Sequence, residues 1–310
     1  MANFLVTGVA GFIGAKVADS LLQSGHQVVG IDNLSTGFIE AIPAGVARII
    51  NGAHEVGTIE QLNDTKFDAI LHIAGQSGGE MSYEDPVYDL QANAQSTLLL
   101  LDYAVRTGCK RIVYASTVSV YGENGKMELL REDDLTFPKS FYGVGKLASE
   151  NYLRIYSNQF NLDTFSLRLF NIYGPGQNLK NLKQGMVSIF LSQAINDKHI
   201  HVKGAPERFR DFVYIDDCVD AFKRCLDINL GGYNVMNVAT GKKTSVREVT
   251  EGILEALPYN VSVEFSGNTP GDVHGYTGDN SKIRSLLGWK PTVSRAEGIE
   301  RMVKWAIGRS

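Results

Sequence analysis

Tyr142 and Lys146 stand four residues apart in Tyr142-Gly143-Val144-Gly145-Lys146. This spacing puts both side chains on one face of a helix. A phenol ionises near pH 10 and is a poor base at neutral pH. A lysine ammonium about 4 Å away, at an effective dielectric near 20, stabilises the phenolate by roughly 4 kcal/mol. That is about three pKa units before desolvation opposes it. Such a pair also arises by accident on helices, and its position gives it weight. It follows the apolar run ending Ala115-Ser116-Thr117, which brings hydroxyls to the carboxyl edge of a sheet. Tyr142 can then remove a hydroxyl proton as hydride leaves the same carbon, with Thr117 bridging to the hydroxyl oxygen.

Hydride chemistry needs an acceptor, and the start of the chain has the pattern that cradles one. Phe4-Leu5-Val6-Thr7 reads as a strand, followed by Gly8-Val9-Ala10-Gly11-Phe12-Ile13-Gly14. Gly8 permits the tight turn, Gly11 lets backbone N–H groups approach a pyrophosphate, and Gly14 lets helix pack on strand. The helix N-terminus then faces the phosphates with its partial positive charge. A second strand, Gln27 to Ile31, ends in Asp32. An acid about 20 residues beyond the glycine turn accepts from the adenosine ribose hydroxyls and repels a 2′-phosphate. NAD rather than NADP is therefore the expected cofactor. The competing role for Asp32 is that of a turn-former beside Asn33.

The rest of the chain supplies the frame. Near-continuous apolar runs at 67–73, 111–115 and 164–169 alternate with helical patterns. This predicts an α/β fold with a doubly wound parallel sheet of Rossmann type, binding ligands at the carboxyl ends of its strands. Asp85, Pro86 and Gly108 punctuate one helix as cap, first residue and stop. Past residue 170 the texture turns irregular, with Gly, Pro and Asn between short strands. The expected organisation is a cofactor domain over 1–170, with about 211–240 returning to it. Residues 171–210 and 241–310 then form a smaller substrate-binding region. The chain has 310 residues, 44% of them hydrophobic and 21% charged, with a net charge of −4. That balance gives no reason to expect a nucleic acid or an anionic membrane as partner. No apolar run approaches membrane length and no signal peptide is indicated. Cys109, Cys218 and Cys225 lack metal-like spacing and suit a reducing cytoplasm.

Taken with these features, longer motifs make the chain resemble the extended short-chain dehydrogenase/reductase family, in its nucleotide-sugar epimerase and dehydratase group. GxxGxxG at 8–14 matches the cofactor loop. Asp32-Asn33-Leu34-Ser35-Thr36-Gly37 is close to the run in UDP-galactose 4-epimerase-like members, and His72-Ile73-Ala74-Gly75 to the segment beneath the cofactor. Tyr114 through Gly122 matches the strand carrying the catalytic Ser or Thr, and Leu287-Gly288-Trp289-Lys290-Pro291 the closing signature. The resemblance implies cofactor contacts from Gly8, Gly11, Phe12, Ile13, Gly14, Asp32, Asn33, Ser35, Thr36, Ala74, Tyr142 and Lys146. It implies catalysis by Thr117, Tyr142 and Lys146, with Lys146 also holding the nicotinamide ribose. Substrate contacts fall to Ser77, Ser119, Asn171, Arg208, Arg210 and Asp272, and no metal is called for. The implied activity is NAD-dependent epimerisation of a nucleoside-diphosphate sugar at carbon 4, through a 4-keto intermediate. In relatives the helix of Tyr142 and the one starting at Pro86 pair with their copies, so a homodimer is expected through Val87, Leu90, Ala94, Leu98, Leu147 and Tyr152.

The departures narrow this. Dehydratases carry an Asp-Glu pair after the catalytic Thr, where this chain has Val118-Ser119. Valine donates no proton and serine is a poor base, so elimination of water lacks its machinery. An arginine usual before Gly271-Asp272 is replaced by Thr269-Pro270, leaving Arg210 with Arg208 for the diphosphate. A net dehydrogenase or reductase, a 4,6-dehydratase and a non-enzymatic dinucleotide sensor remain as alternatives. Retention of Thr117, Tyr142 and Lys146 weighs against the last. His72, inside an apolar strand, reads as a core residue. His199 and His201 lack a third ligand at recognisable spacing.

Overall fold

Seven parallel strands run through the centre of the computed structural model, which describes residues 1–122, 128–267 and 274–308. They are β1 (Asn3–Thr7), β2 (Gln27–Asp32), β3 (Ala47–Ile50), β4 (Ala69–His72), β5 (Arg111–Thr117), β6 (Asp163–Leu169) and β7 (Tyr233–Val238). Their spatial order is β7-β6-β5-β4-β1-β2-β3, every pairing parallel. The order reverses between β1 and β4, the crevice where a doubly wound sheet binds its ligand. Strands buried on both faces explain the near-continuous apolar runs of the sequence. The doubly wound α/β fold expected from them is the one observed.

Helices cover both faces. Helix α1 (Phe12–Gln23) buries Val17, Ala18 and Leu21 against the sheet, one helical stripe. Asp85 caps helix α2 (Pro86–Leu90), accepting from Tyr88 N at 2.9 Å, and Pro86 takes its first position. The helix does not run on evenly to Gly108. A π-helical turn, Gln91–Gln95, separates α2 from helix α3 (Ser96–Thr107). Ser96 Oγ donates to Ala92 O at 2.7 Å and Thr97 Oγ1 to Asn93 O at 2.8 Å, side-chain bonds that loosen a helical ladder. The extra residue in this turn shifts the apolar stripe. Ala94, expected on the outer face, is buried within the subunit, while Val87 and Leu90 remain outside. Leu98, Leu147 and Tyr152 are half-buried.

The long helix α4 (Phe141–Phe160) begins at Ser140, whose side chain accepts from Gly143 N at 3.1 Å. One buried cluster fixes it to the sheet. Glu150 on α4 pairs with Arg168 on β6, with Nη2–Oε2 at 2.8 Å and Nε–Oε1 at 3.0 Å. Ser116 on β5 donates to the same carboxylate at 2.5 Å, and the Tyr121 ring lies 4.7 Å from the guanidinium. Burial alone would disfavour both charges, so the pair persists because each carboxylate oxygen and each guanidinium nitrogen has a hydrogen-bond partner.

Beyond the sheet, short strands pair locally: His199–Lys203 with Ser262–Ser266, and Phe209–Arg210 with Thr244–Ser245. Helices Met186–Asn196, Val246–Ala256 and Arg295–Ile307 join them. Their apolar faces merge with the lower sheet face in one continuous core that includes Val6, Phe165, Leu191, Ile253 and Trp289. No described helix is long and apolar enough to cross a membrane.

Arg168→Leu leaves Glu150 buried without its counter-ion, and such losses cost about 3–5 kcal/mol. We expect a fall in the urea midpoint at unchanged slope. A midpoint within error of the parent refutes the anchoring role given to this pair.

Candidate active site

Register brings the motifs together. Thr7 on β1 pairs with Ile31 on β2 and His72 on β4, so the next residue of each strand opens on the same crevice. Gly8 takes φ +75°, and a Cβ on it would lie 2.8 Å from Ala74 N. A Cβ on Gly14 would stand 2.0 Å from Gly8 O, so the first turn of α1 can rest on the loop only if it is bare. The N-terminus of α1 follows Gly11 without a side-chain cap, leaving its N–H groups to face the crevice. This bare cradle fits the pyrophosphate of a dinucleotide.

Below the loop, a buried polar row holds β1 to β4. The Thr7 hydroxyl accepts from Ile73 N and Ala74 N, both at 3.1 Å, so its proton points to His72 Nδ1 at 2.8 Å. His72 Nε2 then carries the ring proton toward Thr97 and Ser96, each at 3.2 Å. Burial pushes the His72 pKa down to about 3, with Lys146 adding to the effect. The ring is neutral and structural.

Asp32 does two things. Its Oδ2 accepts from Ala10 N and its Oδ1 from Leu34 N, each at 2.8 Å, bracing the glycine loop and the turn at Leu34. Its carboxylate also borders the groove. Gly8, Gly11, Phe12, Ile13, Gly14, Asn33, Ser35, Thr36 and Ala74 line that groove beside it.

A second cavity of about 330 Å³ adjoins the first, and Phe12, Ile13, Ile73, Gly75, Ser77, Gln177 and Gln184 border both. Thr117, Ser119, Tyr142, Lys146 and Asn171 line the second cavity. Thr117 lines the cavity with the Tyr142 phenol, whose ionisation it favours, and stands 3.3 Å from Ser119 Oγ. Lys146 Nζ donates to Ala115 O at 3.0 Å and lies 6.0 Å from the Tyr142 ring centre. The expected depression of the tyrosine pKa by Lys146 is not what the protein groups produce. Burial pushes Tyr142 up to about 12, opposed by Thr117 and reinforced by Asp89. At 6.0 Å from the ring and fully buried, the lysine has a smaller effect than desolvation.

Asn171 Nδ2 donates to Asp211 O at 2.9 Å. Asp211 itself is fully buried. Its buried carboxylate accepts from Thr240 N, Thr240 Oγ1, Gly241 N and Gly278 N. It thereby joins the segment of Arg210 to two distant loops. Arg210 stacks 5.0 Å from the ring of Tyr276, a cavity residue, whereas Arg208 donates to Ala205 O and Lys203 O around Gly204. Neither arginine lines the cavity itself. Ser116 is committed to Glu150. Asp272 and Thr269-Pro270 lie outside the described residues. Gln177 and Gln184 were missed: Gln184 Nε2 reaches Ser77 O and Ser77 Oγ at 3.1 and 2.9 Å, bridging the cleft. Only the turn-rich texture near 174–178 hinted at them.

A dinucleotide groove opening onto a hydroxyl–phenol–ammonium cluster defines an NAD-linked oxidoreductive α/β enzyme of the short-chain type. The model of the NAD dependent epimerase/dehydratase family matches residues 4–239. UDP-glucose 4-epimerase of Mycolicibacterium smegmatis is 35% identical over 99% of both chains. The crystal structure of UDP-glucose 4-epimerase with UDP-glucose from Thermotoga maritima superposes with a TM-score of 0.94, at 31% identity and 99% coverage of each chain. The Thermus thermophilus UDP-glucose 4-epimerase complex with NAD gives 0.91 at 32% identity, covering 99% of this chain and 100% of that one. The chain belongs to the NAD-dependent epimerase/dehydratase family, as an NAD-dependent nucleotide-sugar epimerase.

Asp32→Ala removes the carboxylate and with it the acceptors for Ala10 N and Leu34 N, so affinity for both dinucleotides should fall. Loss of the loop bonds affects NAD and NADP alike, and the ratio of their Kd values isolates selectivity. We expect that ratio to shrink toward 1 in the variant. A parent protein that binds NADP as tightly as NAD removes Asp32 from the ribose.

Proposed function

We propose that the chain inverts carbon 4 of a UDP-linked sugar, with Thr117, Tyr142 and Lys146 carrying the proton chemistry. The observation behind this is the meeting of Thr117 and Tyr142 in the cavity that opens on the dinucleotide groove. Bound NAD supplies a hydride acceptor that returns the hydride to the same carbon. Tyr142 takes the 4-hydroxyl proton as hydride leaves and gives it back after the 4-keto ring has turned. Thr117 orients the reacting oxygen. Lys146 holds positive charge 6.0 Å from the phenol ring, and that charge favours the phenolate that burial disfavours. Asn171 holds the diphosphate, with Arg210 acting from behind the cavity residue Tyr276 and Ser77 and Ser119 against the sugar, while Arg208 braces the Gly204 turn. The reaction has no net redox change, so turnover requires no exchange of cofactor.

Val118 and Ser119 set the outcome after the keto stage. Loss of water across carbons 5 and 6 needs proton removal at one and donation at the other, and these side chains do neither efficiently. Re-reduction is the path left. We place the enzyme in the cytoplasm, where its three buried thiols stay free.

We further propose a homodimer through α2 and α4. Val87, Leu90 and Val144 are 66%, 58% and 53% exposed and form part of an apolar face with Tyr83 and Phe141. A twofold axis would bury that face against its copy.

Tyr142→Phe removes only the ionisable oxygen and should lower kcat by about 10²- to 10⁴-fold with NAD content unchanged. Near-normal turnover in the variant sinks the assignment. With a panel of UDP-sugars, the parent enzyme should give a product of unchanged mass and inverted carbon 4, read by NMR. A product lighter by one water would replace this reading with a dehydratase. Sedimentation at micromolar concentration should give the mass of two chains; a lone monomer overturns the dimer.

A further inference from the structure

Behind Lys146 lies a carboxylate that the mechanism above leaves unused. Asp89, on the last turn of α2, is 1% exposed. Its Oδ1 accepts from Asn93 Nδ2 at 3.2 Å, and the same nitrogen donates to Gln76 O at 3.1 Å. With both amide protons committed, the orientation of the Asn93 side chain is fixed. Its buried Oδ1, which has no hydrogen-bond partner among the described residues, faces Gly75. A Cβ on Gly75 would lie 2.4 Å from this oxygen and 3.1 Å from Lys146 Nζ, so both atoms crowd the same side of that glycine. On the α4 side, a Cβ on Gly145 would lie 3.3 Å from Asp89 Oδ2. Glycine at the residue before Lys146 lets the carboxylate come up against the helix.

The other groups around the ammonium do not supply its counter-charge. Tyr114 on β5 presents its ring at 4.8 Å, and Tyr142 on α4 at 6.0 Å. Ala115 O accepts one proton, His72 on β4 is neutral, and Glu150 is committed to Arg168. Burial pulls the lysine down to about 8, and Asp89 pulls it back up.

We propose that Asp89 is a positioning residue of the reaction, which from behind Asn93 and Gly145 keeps the Lys146 ammonium charged beside Tyr142. The inference rests on the roles given to Tyr142 and Lys146. The sign of its effect follows from charge. Without Asp89 the ammonium gives up its proton at lower pH, and the Tyr142 phenol, which Asp89 also holds up, ionises at lower pH too. Both limbs of the kcat–pH profile then move in the acid direction.

The test is the kcat–pH profile of Asp89→Asn and Asp89→Ser, measured from about pH 6 to about pH 9.5 on the purified enzyme with its cofactor. The first variant keeps the shape of the side chain, and the second keeps an acceptor for Asn93. We expect the profile to shift acidward by at least about half a unit, so that the ratio of kcat at the alkaline end to that at the acid end drops about threefold or more. A profile that changes height without moving marks a merely structural aspartate and overturns the proposal. Should neither variant fold, as judged by circular dichroism, carboxyl-labelled aspartate in the parent decides by ¹³C NMR. Asp89 ionised at pH 7 upholds the counter-charge, and a protonated Asp89 overturns it. Failure of the underlying assignment looks different: it appears as activity in Tyr142→Phe, whatever Asp89 does.

Discussion

The site exists because helix α4 is locked against the carboxyl ends of β5 and β6. Thr117 sits on a strand and Tyr142 and Lys146 on a helix, and nothing in the helix alone fixes their distance. The Glu150–Arg168 pair with Ser116 supplies the lock, since it joins α4, β6 and β5 at one buried point. Glu150 is one helical turn from Lys146, and Ser116 is next to Thr117. A slip of the helix by even a fraction of a turn would have to break charge-assisted bonds out of reach of water. Tight placement of the reacting groups is thus secured by residues that never touch the substrate.

The same logic governs the floor of the cofactor groove. Thr7, His72, Thr97 and Ser149 form a buried row from β1 through β4 to α3 and α4. Each polar atom in the row is used, and the row holds Ala74 against Gly8 while giving the backbone of β4 its partners. The adjacent π turn serves a related end, because it turns Asn93 inward toward Gly75. Specificity of position, rather than extra stability, is what such buried polar networks provide.

How much of this the sequence revealed depends on whether a constraint is local. The glycine loop, the strand-end Asp32, the Tyr142–Lys146 spacing and the cap at Asp85 are read over a few residues, and the chain meets the doubly wound pattern in full. The extra residue of the π turn is invisible to a 3.6-residue period, which is why Ala94 was expected outside. Asp89 and Asn93 pair over four residues, but the groups they face, Gly75 and Lys146, come from other elements, and only the fold brings them together. The effect of Lys146 on Tyr142 was misjudged for another reason. Spacing gives the sign of the Coulomb term but not the depth of burial that outweighs it.

The buried His72 also sets a limit on where such a protein can live. An unfolded histidine takes up a proton near pH 6.5, but the folded one resists until about pH 3. Over that interval the unfolded chain binds more protons, so acid favours unfolding by about 1.4 kcal/mol for each unit of pH. The imidazole cannot charge in place without breaking the row beneath the cofactor. Acidification below the ordinary histidine range therefore weakens the fold at the junction of β1 and β4, and a neutral side chain in place of the ring would remove that cost.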